Sequence, residues 1–112
     1  MENCIFCKII DGSIPSEKLY EDEDMIVIKD INPQAPVHLL MIVKTHYANV
    51  LDMNDKQAVT LGKCIKKFAD FASESGISSF RLITNAGEDA RQSVSHLHVH
   101  LLGGKKLNDK MG

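Results

Sequence analysis

The segment Ser95-His96-Leu97-His98-Val99-His100-Leu101-Leu102 restricts this chain more than any other. Strict alternation of imidazole and aliphatic side chains is the period of a β-strand, whose successive residues point to opposite faces. A strand over 95–102 sends Leu97, Val99 and Leu101 into a core. It lines up His96, His98 and His100 on the other face, neighbours about 6.5–7 Å apart. The sheet that holds it has one apolar face, which must be covered, and one imidazole face.

The rest of the chain supplies the cover. Residues 55–75 place Val59, Leu61, Ile65, Phe68, Ala69 and Ala72 at helical spacing, with Asn54 or Asp55 as cap and Gly76 as stop. Residues 4–10 read as a short helix with the i,i+4 pairs Ile5–Ile9 and Phe6–Ile10, ended by turn chemistry over 11–15. Strands are expected at 18–20, 25–29, 38–44, 79–85 and 95–102. An acidic connection joins the first pair, and the loop at 30–36 carries two prolines that deny donors to a central strand. The run at 38–44 is almost continuously apolar and should be buried on both faces. This order predicts a single α+β domain over residues 1–112: a mostly antiparallel sheet of about five strands, one long helix and a short N-terminal helix.

Charge and composition narrow the partners. With 13 basic against 15 acidic side chains the net charge is −2, which disfavours a module held to nucleic acid by phosphate neutralisation. The longest apolar stretch, residues 37–43, is broken by His38 and far too short for a bilayer. The opening MENCIFCKIID carries acids and thiols where a secretory signal has a basic end and an apolar run. Neither nucleic acid nor membrane is expected as a partner, and the cytoplasm is the expected location. Three cysteines cannot form a complete disulfide set, so metal binding or free thiols are preferred.

Three chemistries suit the histidine row: incidental or metal-patch histidines, a catalytic metal, or imidazole itself as nucleophile and acid–base group. The flanking Gln92, Ser93, Ser95 and Gly103 supply no carboxylate for a water-activating metal, which favours the imidazole reading. Cys4-x-x-Cys7 alone is half of a tetrahedral site. Cys64, within the helix stripe, reads as a small buried hydrophobe.

The run Gln92-Ser93-Val94-Ser95-His96-Leu97-His98-Val99-His100-Leu101-Leu102 resembles the signature of the histidine triad (HIT) family. The resemblance covers nearly the whole chain, through CIFCKIIDGSIPSEKLYEDED, DINPQAPVHLLMIVKTH and Asn85-Ala86-Gly87. The closing Leu102-Gly103-Gly104 is similar to the Hint branch, the nucleoside phosphoramidases. It implies hydrolysis or transfer at the α-phosphate of a purine nucleotide of AMP or GMP type, through a covalent nucleotidyl-histidine. By position, His98 is the implied nucleophile, held by a backbone carbonyl of its own strand. His38 completes the relay, and His100 binds a phosphate oxygen and protonates the leaving group. Asn85 and Ser93 are the implied donors to phosphate oxygens, Asp30 the acceptor of the ribose hydroxyls. Ile5, Phe6, Ile9, Ile28 and Ile31 match the apolar slot for the base, although such residues also serve as plain core and an Asp can simply cap a turn.

The resemblance further implies a structural zinc on Cys4, Cys7, His46 and His96, no organic cofactor, and a two-fold homodimer pairing the long helices and the strands at 79–85. Two departures stand out: Arg91 where the family has Gly, and a tail over 105–112 without an aromatic. They leave open whether the leaving group is an amine, a lysyl adduct or a dinucleotide phosphate. The rivals are a non-catalytic nucleotide- and zinc-binding adaptor, a dinucleoside polyphosphate hydrolase, and a metallohydrolase built on the triad.

Overall fold

A five-stranded antiparallel sheet forms around the apolar run at its centre. The structure is a computed structural model that describes residues 3–109. In chain order the elements are α1 (Ile5–Asp11), β1 (Tyr20–Glu21), β2 (Met25–Lys29), β3 (Val37–Val43), α2 (Asp55–Glu74), β4 (Phe80–Ile83) and β5 (His98–Gly103). Across the sheet the order is β1-β2-β3-β5-β4. The fold is α+β, as the element pattern indicates. Among the described residues no helix is long and apolar enough to cross a membrane.

Register assigns each side chain to a face. Ile28 pairs with Leu40 and Leu40 with His100, while Ile26 pairs with Ile42 and Ile42 with His98. Directly paired residues of antiparallel strands share a face, so this face carries an aliphatic patch beside the imidazoles. Phe6 and Ile9 of α1 close over the patch formed by Ile26, Ile28, Leu40 and Ile42. The opposite face carries Met25, Val27, Leu39, Met41, Val99 and Leu101 against α2. β3 is therefore buried on both faces for the reason its composition gives.

The helical stripe runs through Leu61, Cys64, Phe68 and Ala72, a succession of i+3 and i+4 steps. Val59, expected within it, stands exposed, because it lies off that line. Cys64 is fully buried in the core, and burial pushes its thiol up to about 11, which makes it chemically inert at neutral pH. At the start of α2, Asn54 accepts from the Gln57 N–H at 2.8 Å and Gln57 Oε1 accepts from the Asn54 N–H at 2.9 Å. This reciprocal box satisfies two of the donors that a helix N-terminus leaves unpaired. At the other end Gly76, with φ of 89°, turns the chain so that the Ile77 N–H reaches the Ala72 carbonyl. α2 is tied to the β1–β2 turn by the Lys67 ammonium on Asp22. Partial burial opposes ionisation of Asp22, but Lys67, the backbone N–H groups of Asp24 and Met25, and the Tyr20 hydroxyl outweigh it and hold the carboxyl at about 2.

Several boundaries differ from the sequence expectation. β5 begins at His98 instead of residue 95, because the backbone donors before it bond elsewhere: His96 N–H to the Val94 carbonyl and Leu97 N–H to the Tyr47 carbonyl. The alternation of faces nevertheless persists, since Leu97 joins the α2-side core with Val99 and Leu101. β4 ends at Ile83, so Asn85 lies beyond it, and β1 shrinks to Tyr20–Glu21.

Asn54→Ala should remove half of the capping box and lower unfolding free energy by about 1 kcal/mol, measured by urea denaturation; an unchanged midpoint would show that solvent replaces the cap.

Candidate active site and metal centre

Three successive hydrogen bonds fix which nitrogen of each histidine carries its proton. The backbone N–H of Gln34 donates to His38 Nδ1 at 2.9 Å, so that nitrogen is a bare acceptor and the His38 proton sits on Nε2. His38 Nε2 lies 2.9 Å from His100 Nδ1 and 3.3 Å from an Asp30 carboxylate oxygen. It therefore donates toward His100, whose own proton must sit on Nε2. His98 Nδ1 lies 2.7 Å from the His96 carbonyl oxygen, which only accepts. His98 is thus protonated on Nδ1, and its Nε2 keeps a free lone pair.

That nitrogen is available. His98 as a residue is only 5% exposed, yet its Nε2 has no partner among the described residues and is not sealed from solvent. The ring is held edge-on between Phe6 and His100, with centroids 5.0 Å from each. The Thr84 hydroxyl donates to the His98 carbonyl at 2.8 Å and pins the backbone there.

Burial lowers the basicity of these rings. It pushes His98 below its ordinary range, and burial together with the neighbouring His98 and His38 pushes His100 down to about 4, against a partial counter-effect of Asp30. At neutral pH both are uncharged, which leaves a lone pair on His98 for attack and an Nε2–H on His100 as a hydrogen-bond donor.

A second cluster is built around His96, two residues before His98. Cys4 Sγ is 3.3 Å from His96 Nδ1, Cys7 Sγ is 3.3 Å from His46 Nδ1 and 3.5 Å from His96 Nδ1, and the two Nδ1 atoms are 3.0 Å apart. All four donor atoms lie within 4.8 Å of one another. Ligands about 2.0–2.3 Å from a tetrahedral ion are separated by roughly 3.3–3.8 Å, so the donors stand close to metal-binding spacing. His96 is fully buried, and its Nε2 lies 2.6 Å from the Val43 carbonyl oxygen. The ring proton is therefore on Nε2, leaving the Nδ1 lone pair aimed at the thiols. Two thiols, two imidazole nitrogens and an oriented buried histidine fit a divalent soft-to-borderline ion such as zinc. Cys4 also caps α1, its sulfur accepting from the Cys7 N–H at 3.4 Å.

The expected substrate groups divide. Asn85, His38 and His100 line one open cleft of about 1060 Å³ together with Gln34 and Arg91. Ser93 is not part of it: it lines the neighbouring cleft beside Cys4, Ile5 and His46. Phe6, Ile9 and Ile28 are core residues of the patch beside the imidazoles, whereas Ile5 is 48% and Ile31 92% exposed. Asp30 Oδ1 accepts from the Asn32 N–H at 2.8 Å, which shapes its turn and leaves Oδ2 toward His38.

Flanking sequence suggests no carboxylate near the triad; the tertiary structure brings Asp30 there from the end of β2. Asp30, His38 and His100 lie close enough to share an ion. The tautomers argue against that use. A metal on His38 Nε2 needs the ring proton on Nδ1, where the Gln34 N–H already points. The group reads as a proton relay.

Two contributors escaped sequence reasoning. Gln34 sets the relay through its backbone, for which no side-chain pattern exists. Gln92 clamps the loop before β5: its Nε2 donates to the carbonyls of Ala48 and Val94, and its Oε1 accepts from Asn49 Nδ2 and the Gly87 N–H. Next to it, Arg91 adopts φ of 64°, the left-handed region, which costs a non-glycine residue roughly 1–2 kcal/mol. That explains why glycine suits this position in the motif.

Acid sensitivity follows from His100. The unfolded chain takes up this proton below about pH 6.5, while the native ring, facing His38, His98, Asp30 and Arg91, resists until about 4. Stability is undiminished above the upper value and falls as pH drops toward the lower one, by up to about 3 kcal/mol. Denaturation midpoints between pH 7 and 4 should show this slope, and His100→Gln should flatten it; equal slopes would refute it.

Comparison with known proteins agrees with this geometry. The family model described as "Scavenger mRNA decapping enzyme C-term binding" matches residues 3–112. The chain is 42% identical over 104 residues to Protein HitA of Neisseria gonorrhoeae, covering 92% of this chain and 97% of that protein. It is 46% identical over 108 residues to Protein pkiA of Dictyostelium discoideum, covering 93% and 85% respectively. Among solved structures it superimposes on a HIT family hydrolase from Clostridium thermocellum with a TM-score of 0.93 and 50% identity, over 99% of this chain and 98% of that one. A histidine triad protein from Clostridium difficile gives the same TM-score at 42% identity, over 99% of this chain and 98% of that one. With a row of imidazoles at 96, 98 and 100 whose protons are set by strand carbonyls and a neighbouring histidine, the chain belongs to the histidine triad family.

Proposed function

We propose that this protein is a hydrolase of purine nucleoside phosphoramidates or related nucleotide conjugates, acting at the α-phosphate and releasing a nucleoside monophosphate. The observation that carries the reading is the His98 Nδ1–H bond to the His96 carbonyl, with Nε2 left unprotonated. In this mechanism Nε2 attacks phosphorus. The bond from phosphorus to the leaving group breaks, the departing atom takes the electron pair and a proton from solvent, and the His100 Nε2–H stabilises it through a hydrogen bond. The nucleotidylated imidazole is cationic, and the His96 carbonyl stabilises that charge through Nδ1–H. Water then adds to phosphorus and gives up a proton to solvent, the P–N bond breaks, and His98 recovers its lone pair, while His100 keeps its Nε2–H throughout. The His38 donor, itself fixed by the Gln34 N–H, keeps His100 in the required tautomer. Asn85 in the same cleft is suited to donate to a phosphate oxygen.

Ile5 and Ile31 present the exposed apolar surface for a purine, above the buried Phe6, Ile9 and Ile28. Asp30 offers Oδ2 to a ribose hydroxyl when it turns from His38. Ser93 acts only on a substrate that bridges toward the cleft of Ile5 and Cys4.

Cys4, Cys7, His46 and His96 would hold a structural zinc, which supplies charge balance for two thiolates and fixes the His96 peptide. The uncovered edge of β4 suits a two-fold dimer with a continuous sheet, and three unpaired cysteines suit the reducing cytoplasm. All five strands share one sheet, which supports reading residues 1–112 as a single domain.

His98→Gln should reduce release of monophosphate from adenosine or guanosine phosphoramidate by at least about a thousandfold while nucleotide binding persists; undiminished turnover would sink the mechanism, and wild-type protein that releases no monophosphate would favour the adaptor reading. Purified wild type should carry about one zinc per chain, and Cys4→Ser with Cys7→Ser should abolish the metal and lower the melting temperature. Full metal loss with unaltered melting would overturn the structural role.

A further inference from the structure

We propose that Arg91 is a specificity-determining residue that binds an anionic group carried by the leaving group; this rests on the hydrolase reading of the same cleft. Strand order carries the argument. The proposed nucleoside contacts Asp30 and Ile31, just after β2, lie on the β3 side of the histidine row, while Ile5 stands at its end beside Ser93 and Ser95. Arg91 lies on the other side, in the loop that joins β4 to β5, and lines the cleft that holds His38, His100 and Asn85. In-line displacement by His98 needs the leaving group on the side away from attack, and a conjugate entering from the nucleoside side extends its other end toward β4.

The placement is rigid. Arg91 N–H donates to the Glu88 carbonyl at 2.9 Å, and Gln92 is anchored on Ala48, Asn49, Gly87 and Val94. The backbone bonds hold the Arg91 main chain, in the left-handed region where glycine is free of strain, at the rim of the cleft, and the exposed side chain orders on binding. Among the described residues no ion pair or hydrogen bond occupies that guanidinium, and it is exposed. Asp89, Asp109 and Arg81 also line the cleft, so its field is mixed. The recognised chemistry is a carboxylate or a second phosphate, for which guanidinium offers two parallel donors.

The test compares three conjugates of one nucleoside: the adenosine phosphoramidates of alanine, with a free carboxylate, and of alaninamide, without one, and diadenosine tetraphosphate, whose leaving group is the polyphosphate of ATP. For Arg91→Gly, which also relieves backbone strain and so remains folded, the preference in kcat/KM for an anionic over the uncharged leaving group should fall about tenfold or more. Loss on the alanine conjugate alone identifies a carboxylate as the ligand, and loss on the tetraphosphate alone identifies a phosphate. Arg91→Lys should restore part of it. Ratios unchanged for both anionic conjugates overturn the proposal and leave the hydrolase standing. If wild type cleaves none of the three, the hydrolase reading falls, and calorimetric affinities for ADP and AMP decide the anion site instead. An ADP preference erased by Arg91→Gly supports the site; one that survives, or none in wild type, overturns it.

Discussion

The His96 peptide unit is the hinge on which the arrangement turns. Its side chain is fully buried and directs Nδ1 at two thiols and His46, while its carbonyl accepts from the ring of His98 two residues on. One residue thus joins the metal-competent cluster to the tautomer of the proposed nucleophile. Both bonds depend on the chain leaving the sheet pattern at this point, since the His96 and Leu97 N–H groups bond to Val94 and Tyr47 instead of to a strand ladder. A regular strand from residue 95 would have turned that carbonyl into a ladder acceptor and left His98 without its partner.

The remaining relay is assembled from fixed donors. A backbone N–H cannot change role, so the Gln34 contact on His38 decides every proton location downstream to His100. Burial then keeps His98 and His100 neutral. The neutral His100 ring offers Nε2–H as a hydrogen-bond donor to a departing amine or oxygen, and the same desolvation makes the native state sensitive to acid. Stability and chemistry rest here on one physical cause.

Much of this was legible before any coordinate. The alternation at 96–101 determined the two faces, and the apolar run before Lys44 the doubly buried central strand. The pair Cys4 and Cys7 marked half a metal site, and the likeness to the triad family supplied His46 and His96, which the structure brings to them. Other placements could not be read from the sequence, for identifiable reasons. Val59 is apolar by composition but sits off the buried stripe of α2. Ser93 neighbours the motif in sequence, yet the loop clamped by Gln92 turns it into the adjoining cleft. Asp30 is remote in sequence from the triad and still reaches it, because β2 ends beside β3 and β3 pairs with β5.

The amino-acid sequence by itself determined the period of the strand, the α2 stripe and the residue types able to do imidazole and thiolate chemistry, because these follow from local side-chain spacing. Which nitrogen holds a proton, which carboxylate meets which histidine, and which side of the row Arg91 occupies were decided only by tertiary structure. Those properties depend on contacts between segments dozens of residues apart, and on backbone donors and acceptors that every residue type carries alike.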